Sequence, residues 1–244
     1  LYVVQAAGGS DQIVDVGGSD TLDVSSFTSG TTVDLTGTFL ALSGGSSSTK
    51  SLLHFNGTVG AHTASDEFSH AWSTVGSTPT ISDTAPWLSG QKHMAFNGSD
   101  DSIYTNAIFP ANNSSGWTIR WRQKITGSTS SYHQLIANTG NNGMAVALTG
   151  SKINLYLGTS TWSDVKAGTK TNWTANQWYD MELTFSSTGG YKFYVDGVLD
   201  LTNTSTTQYT MTGIRLGFRQ VGAMADFYMT TNEVLHTANF TPLS

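Results

Sequence analysis

The chain has 244 residues, no cysteine and a formal net charge of −6. Without cysteine it has neither disulfide bonds nor thiol catalysis, and the negative charge argues against nucleic acid as a partner, because phosphate binding needs a basic surface. Gly, Ser and Thr are abundant and charged residues are only 11% of the chain, a composition that disfavours helices. No apolar run is long enough for membrane insertion. Since the sequence starts at Leu1 without a signal-like stretch, we expect a processed product or a piece of a larger chain.

The first 49 residues contain Asp but no Lys or Arg, and they carry a short repeat. Gly8-Gly9-Ser10-Asp11 recurs as Gly17-Gly18-Ser19-Asp20. This spacing resembles the calcium-binding repeats of repeat-in-toxin proteins, which would make Asp11 and Asp20 calcium ligands. The alternative is a hairpin or extended arm whose turns use the same Gly and Asp residues. We therefore expect an acidic, β-rich segment over residues 1–42, either an attachment arm or the end of a β-roll, and a Gly/Ser linker over residues 43–51.

From residue 52 onward, short apolar or alternating runs are separated by turn residues, which predicts strands. Asp196-Gly197, between two such runs, is a strong hairpin signal. The number and spacing of the runs predict an all-β, two-sheet antiparallel sandwich over residues 52–244. The predicted strands are Leu52–Phe55, Met94–Phe96, Ser102–Tyr104, Trp117–Arg122, Gln134–Ala137, Met144–Leu148, Ile153–Leu157, Met181–Phe185, Tyr191–Val195, Val198–Leu201, Ile214–Phe218 and Ala225–Met229.

Several motifs stand in the order found in one family. They include Leu52-Leu53-His54-Phe55-Asn56-Gly57, Tyr194-Val195-Asp196-Gly197 and the ending Thr237-Ala238-Asn239-Phe240-Thr241-Pro242. The order resembles the laminin-G-like, concanavalin A-like jelly roll, and the ending resembles that of bacteriophage tail and surface proteins. The resemblance implies a jelly-roll sandwich that works on a virion surface or outside the cell. Its expected partners are a host surface glycan, a further copy of the chain, and other virion or surface chains bound through residues 1–49.

A glycan hydrolase of this fold would need two carboxylates at a fixed separation. The one close pair is Asp180 and Glu182, which alternation places on a single face of a strand. We expect this face to be solvent-exposed and the protein not to be an enzyme.

Calcium is the cofactor that the resemblance implies, bound by oxygen ligands between the first and last strands. The matching positions are Asn56 and Asp226, and Asp100 with Asp101 could form a loop site instead. The alternative for all four is that they are turn residues. The six histidines show no metal-ligand spacing.

A glycan site would combine aromatic rings with carboxylates and amides. Aromatic residues in predicted loops are candidates for stacking on a sugar, and the alternative for them is core packing beneath the loops. Trp117, Trp121 and Trp178 lie in strand-like motifs, and we expect them in the core. The predicted ligand-binding residues are Trp162, Asp164, Trp173, Asn172 and Tyr132.

These features predict a non-catalytic glycan-binding or host-recognition module on a tail fibre, spike or capsid surface. A purely structural decoration or assembly module fits the acidic N-terminal segment equally well. A fragment of a bacterial secreted, calcium-dependent adhesin is the third interpretation.

Overall fold

The computed structural model describes residues 2–3, 22–23, 34–35, 38–39, 49–76, 79–98, 100–106, 115–140, 143–209 and 211–242, with side chains from residue 51 onward. The chain divides into two units, and the larger spans Ser48–Pro242. None of the described residues forms a helix, so no helix among them could cross a membrane.

The N-terminal unit contributes four short strands, β1 (Tyr2–Val3), β2 (Leu22–Asp23), β3 (Asp34–Leu35) and β4 (Thr38–Phe39). β1 and β2 pair in parallel, whereas β3 and β4 pair antiparallel. A simple hairpin cannot produce a parallel pair. The Gly/Asp repeats around Asp11 and Asp20 lie outside the described residues, so both interpretations of them stay predictions.

The described residues of the larger unit form fifteen strands. They are β5 (Thr49–Leu53), β6 (Ser73–Val75), β7 (Thr80–Ser82), β8 (His93–Asn97), β9 (Ser102–Thr105), β10 (Gly116–Ile125), β11 (His133–Asn138), β12 (Gly143–Thr149), β13 (Lys152–Gly158), β14 (Asp164–Ala167), β15 (Trp178–Ser186), β16 (Gly190–Val195), β17 (Val198–Asn203), β18 (Ile214–Leu216) and β19 (Val221–Thr231). Every predicted strand overlaps one of these. Because β5 begins at Thr49, the last three residues of the predicted linker 43–51 are strand.

Two antiparallel sheets form the sandwich. The eight-stranded sheet has the order β17-β16-β15-β10-β19-β8-β7, with β5 also paired to β19. The seven-stranded sheet has the order β14-β13-β12-β11-β18-β9-β6. This confirms the predicted jelly-roll sandwich, since consecutive strands are not always neighbours and the chain crosses repeatedly between the sheets.

The core lies between the sheets and follows the two-residue alternation of the strands. In β10, Trp117 and Ile119 face the core, and both are at most 1% exposed. Trp121 is also fully buried, so these two predictions for tryptophan are confirmed. Trp178 is different: it lies half-buried on the outer face of the eight-stranded sheet and donates to the carbonyl of Ala85 at 3.1 Å.

The hairpin predicted at Asp196-Gly197 joins β16 to β17. Both residues have positive φ, 50° and 73°, as a two-residue type I′ turn requires. The amide of Phe240 donates to the carbonyl of Gly197 at 2.9 Å. This bond helps to hold residues 232–242, which we call the C-terminal segment, against the eight-stranded sheet.

Candidate functional site

The carboxylate pair on β15 is buried. Asp180 is 2% exposed and Glu182 is fully buried, so the expectation of a solvated face was wrong. The reason is the C-terminal segment. The Nδ1 of His236 lies 2.9 and 2.8 Å from the two carboxylate oxygens of Glu182. The ring of Phe240 stacks on His236 with centroids 3.6 Å apart.

Two arginines on β10 neutralise Asp180. Arg120 donates to the Oδ2 of Asp180 at 2.8 Å, and the Nη1 of Arg122 lies 2.8 Å from the same oxygen. Arg122 also lies over the ring of Trp87 at 4.6 Å, and Arg120 lies 5.7 Å from the ring centroid of Phe240. With its ionic groups paired and covered, this part of the outer face acts as a packed layer and leaves no room for a sugar at Glu182.

The predicted calcium ligands are scattered. Asn56 is exposed, while Asp226 lies 2.9 Å from the Nδ1 of His54, which ties the first strand of the sandwich to the last. Asp100 is exposed and pairs with Arg219 at 3.6 Å, whereas Asp101 is 2% exposed. Among the described residues, no group of three His, Asp or Glu side chains is placed to hold a metal ion. Calcium binding stays a prediction.

The predicted sugar-binding tryptophans lie at opposite ends of β13. Trp162 follows the end of the strand and contacts Tyr156 edge-to-face at 6.0 Å. Trp173 donates to the carbonyl of Ser151, just before the strand begins, at 3.0 Å. Tyr156 is the fifth of the seven residues of β13, so roughly 17 Å of strand separates the contact of Trp162 from that of Trp173 at Ser151. They cannot hold the same sugar unit.

The residues predicted together with these tryptophans have local partners. Trp173 packs against the core and meets the ring of Tyr179 at 5.0 Å. Asn172 is exposed, and its side chain accepts from Lys170 at 3.5 Å. Asp164 accepts from the amide of Asn203 at 2.7 Å. These contacts leave Trp162 and Tyr132 as the predicted aromatic residues that are open to solvent.

Trp162 and Tyr132 both border the outer surface of the seven-stranded sheet. One row of cross-strand partners on this surface runs Arg215, Ala137, Ala145, Tyr156 and Val165. The next row contains Gln134, Ala147 and Asn154. The three alanines are at most 2% exposed, so the larger side chains of the two rows form the solvent-facing surface of the sheet.

Tyr132 joins these rows. Its hydroxyl accepts from the amide of Gln134 at 3.1 Å. Burial raises the pKa of Tyr132, the nearby Tyr156 raises it further, and Arg219 lowers it. The bond to Gln134 places the Tyr132 hydroxyl beside the second row. Tyr132 is 39% exposed and Trp162 is 36% exposed.

Phe218 completes the surface on its other side. The guanidinium of Arg215 lies 5.3 Å from the centroid of this ring, and that of Arg219 lies 5.1 Å from it. The backbone carbonyl of Phe218 accepts a hydrogen bond from the backbone amide of Gln134, which sets Phe218 beside β11. We call the surface formed by Tyr132, Tyr156, Trp162 and Phe218 the aromatic face.

The sequence did not single out Tyr156, Phe218 or the two arginines as site residues. A signal for Tyr156 was present, since it takes an outward position between Leu155 and Leu157 in an alternating strand. No local signal marks Arg215, because its place beside Ala137 depends on the pairing of β18 with β11.

The fold and the packed core define a two-sheet jelly-roll protein of the lectin-like kind. The family model of the concanavalin A-like lectin/glucanases superfamily matches residues 97–229. The match covers more than half of the chain, and the chain belongs to this superfamily. No curated protein matches the sequence.

Solved structures resemble the fold at low sequence identity. The receptor-binding domain of botulinum neurotoxin type G is 17% identical with a TM-score of 0.56, over 77% of this chain and 49% of that one. A structure of botulinum neurotoxin type C is 15% identical with a TM-score of 0.57, over 76% and 48%. The binding domain of Paraclostridial Mosquitocidal Protein 1 is 13% identical with a TM-score of 0.58, over 77% and 49%. The chain therefore spans about half the length of these structures, and the likeness concerns the fold.

Proposed function

We propose that this protein is a non-catalytic glycan-binding module and that the aromatic face is its binding surface. The observation that carries the proposal is the exposure of Tyr132 and Trp162 at 39% and 36% on one side of a rigid sheet. A third ring on this side, Tyr156, contacts Trp162 edge-to-face at 6.0 Å. Large exposed apolar side chains gathered on one face are typical of interaction sites.

The chemistry of the face suits a sugar. A pyranose ring has an apolar C–H side and a polar rim, so it is bound by an aromatic ring together with hydrogen-bonding groups at its edge. The rings of Tyr132 and Trp162 supply apolar surface. The Tyr132 hydroxyl and the Gln134 amide, which share a hydrogen bond of 3.1 Å, supply the polar groups. Both stand on or next to β11, which fixes their spacing.

The absence of catalysis is part of the proposal and rests on the carboxylates. Glu182 is fully buried and is in contact with His236. A glycosidic bond cannot reach it while the C-terminal segment stays in place. Near the aromatic face, the carboxylate of Asp100 is paired with Arg219.

The comparisons agree with a binding module. The superfamily is named for lectins as well as glucanases, and the cell entry of botulinum neurotoxin type C is dependent upon interaction with two ganglioside molecules. That protein is only 15% identical and only 48% of it is matched, so the aromatic face has to be tested directly.

The setting that we propose is a virion or cell surface, where the module recognises a host glycan. The phage-like ending Thr237–Pro242 supports a virion. Attachment through residues 1–49 and assembly with further copies of the chain belong to the same proposal.

A glycan array tests the function, run with the purified chain in calcium and again with a chelator. We expect binding to one class of sugar, and we expect Trp162→Ala and Tyr132→Ala each to weaken it by about tenfold or more. Phe68→Ala is the matched control, because Phe68 is 38% exposed and lies by the other sheet, where the backbone amide of the adjacent Glu67 donates to Leu52 of β5. Equal losses in all three variants, or no binding to any glycan, would refute the aromatic face as a lectin site. Loss of binding on chelation would add calcium to the site.

A further inference from the structure

The aromatic face carries positive charge, although the chain as a whole has a net charge of −6. Arg215 and Arg219 flank Phe218. Lys152 stands on the same face of β13 as Asn154 and Tyr156, because residues two apart share a face of a strand, and it is exposed.

Arg215 has an unusual environment. It is half-buried in the middle of the sheet, and its cross-strand neighbours are Tyr104 and Ala137, neither of them acidic. Among the described residues no carboxylate pairs with it, and its Nε is buried without a hydrogen-bond partner. A half-buried guanidinium normally has an anionic partner, because burial of an unpaired charge is costly.

The ring of Phe218 supports both guanidinium groups from one side. Cation–π contact at 5.1–5.3 Å holds each group in position without neutralising it. The guanidinium groups therefore keep donors for a further acceptor.

Among the described residues, Arg219 has one anionic partner, and that contact is weak. Its Nε lies 3.6 Å from the carboxylate of Asp100, and the two side chains are 58% and 75% exposed. An exposed pair at this distance contributes little to stability. A ligand carboxylate or sulfate that accepts two hydrogen bonds from the guanidinium would replace Asp100 readily.

From this arrangement we infer that the ligand of the aromatic face is an acidic glycan. One sugar ring stacks on Tyr132 or Trp162, and a carboxylate or sulfate group on this unit or a neighbouring unit of the glycan is bound by Arg215 and Arg219. The inference rests on the proposed glycan-binding function and adds the class of sugar and the residues that select it. Guanidinium groups bind both kinds of anion through paired hydrogen bonds, so the two sources are separated by experiment.

Matched glycan pairs test the inference. We would measure binding of the intact chain to 3′-sialyllactose and lactose, to polygalacturonate and its methyl ester, and to dextran sulfate and dextran. The acidic member of at least one pair is expected to bind about tenfold or more tightly, and this preference should fall as salt is raised. The pair that shows it identifies a carboxylate or a sulfate as the recognised group.

Variants distinguish specific binding by the two arginines from a general effect of positive charge on affinity. Arg215→Gln and Arg219→Gln are each expected to lower affinity for the acidic glycan by about tenfold and to leave the neutral partner unchanged. Arg215→Lys keeps the charge but cannot form the paired hydrogen bonds of a guanidinium, so it should keep only part of the preference, at a level between Arg215→Gln and the native chain. Asp100→Asn removes the competing carboxylate and should tighten acidic binding. Lys92→Gln removes a positive charge from the loop before β8 and is the control for net charge. Thermal unfolding of each variant confirms that it is folded.

The results that would overturn the inference differ from those that would overturn the function. Equal binding of acidic and neutral partners, still lost in Trp162→Ala, would overturn the acidic preference and leave glycan binding in place. An acidic preference that survives both glutamine variants, or that Lys92→Gln removes as strongly, would also overturn it. No binding by any of the six probes, together with an empty glycan array, would overturn both.

Discussion

The Nδ1 of His236 lies 2.8 Å from a carboxylate oxygen of Glu182 on the outer face of the eight-stranded sheet. Burial raises the pKa of Glu182 to about 8, with Arg120 opposing the rise and Asp180 adding to it. Burial also lowers the pKa of His236. The folded protein therefore favours the neutral form of both side chains. The carboxyl O–H of Glu182 can then donate a hydrogen bond to the Nδ1 of His236.

The raised pKa of Glu182 predicts a loss of stability as the pH rises toward about 8. Its folded pKa of about 8 lies above its ordinary value of 4.5, so between these values the folded state holds a proton that the unfolded chain has lost. Stability then decreases as pH rises from about 4.5 to about 8, by at most about 1.4 kcal/mol per pH unit. His236, whose pKa is lowered, acts in the opposite direction only below pH 6.5. Thermal unfolding from pH 5 to pH 9 measures the effect.

Glu182→Gln removes the titrating group and keeps its shape. We expect this variant to lose much less stability than the native chain between pH 6.5 and pH 9. Glu233→Gln is the control, since only the backbone carbonyl of Glu233 makes described hydrogen bonds. If native protein and Glu182→Gln lose stability in parallel, Glu182 is not protonated in the folded state.

Removal of the single buried charge of Asp180 should lower the free energy of unfolding strongly. Its side chain is 1% exposed and pairs with Arg120 and Arg122, which are only 11% and 15% exposed. Asp180→Asn leaves two mostly buried arginines without their carboxylate, which should cost about 3 kcal/mol or more in the free energy of unfolding. Asp100→Asn breaks an exposed pair and should change stability by less than about 1 kcal/mol. Chemical denaturation of the two variants gives the comparison, and similar values for both would contradict the buried network.

Two histidines should titrate far apart. A hydrogen bond from His54 to Asp226 raises the pKa of His54 above 6.5, against the opposing effect of burial, while burial lowers the pKa of His93 to about 4. A pH titration followed by NMR of the imidazole signals should therefore separate them. In Asp226→Asn the pKa of His54 should fall and that of His93 should stay the same. If His54 does not respond, its contact with Asp226 is not formed in solution.

Strand alternation accounts for most of what the sequence predicted correctly. β10 and β15 were recognised because apolar and polar residues alternate along their sequences over several positions. β14 was missed because its sequence, Asp164-Val165-Lys166-Ala167, offers no large buried side chain, and Val165 is 45% exposed. Its strand conformation comes from pairing with β13, which the local sequence does not encode.

The candidate site was harder to predict because its residues are distant in the sequence. Trp162 and Trp173 were both predicted to bind the ligand, yet β13 places them at opposite ends. Arg215 and Phe218 reach the same surface as Tyr132 only through the pairing of β18 with β11. The burial of Glu182 has the same kind of cause. Alternation correctly places it beside Asp180, but the cover comes from the C-terminal segment.

Gly197 tests how firmly the C-terminal segment is held. It has a φ of 73°, and a Cβ at this position would collide with the backbone carbonyl of Phe240. Gly197→Ala should therefore cost more than the roughly 1–2 kcal/mol of a left-handed alanine, and it should expose residues 232–242 to proteolysis. Gly90→Ala is the matched control, because Gly90 has a φ of 81° and a methyl group added there would meet nothing within 4 Å. Equal destabilisation of the two variants, with an equally resistant C-terminus, would mean that the segment does not rest on the β16–β17 hairpin. A larger loss for Gly197→Ala would tie the cover over Glu182 to that turn.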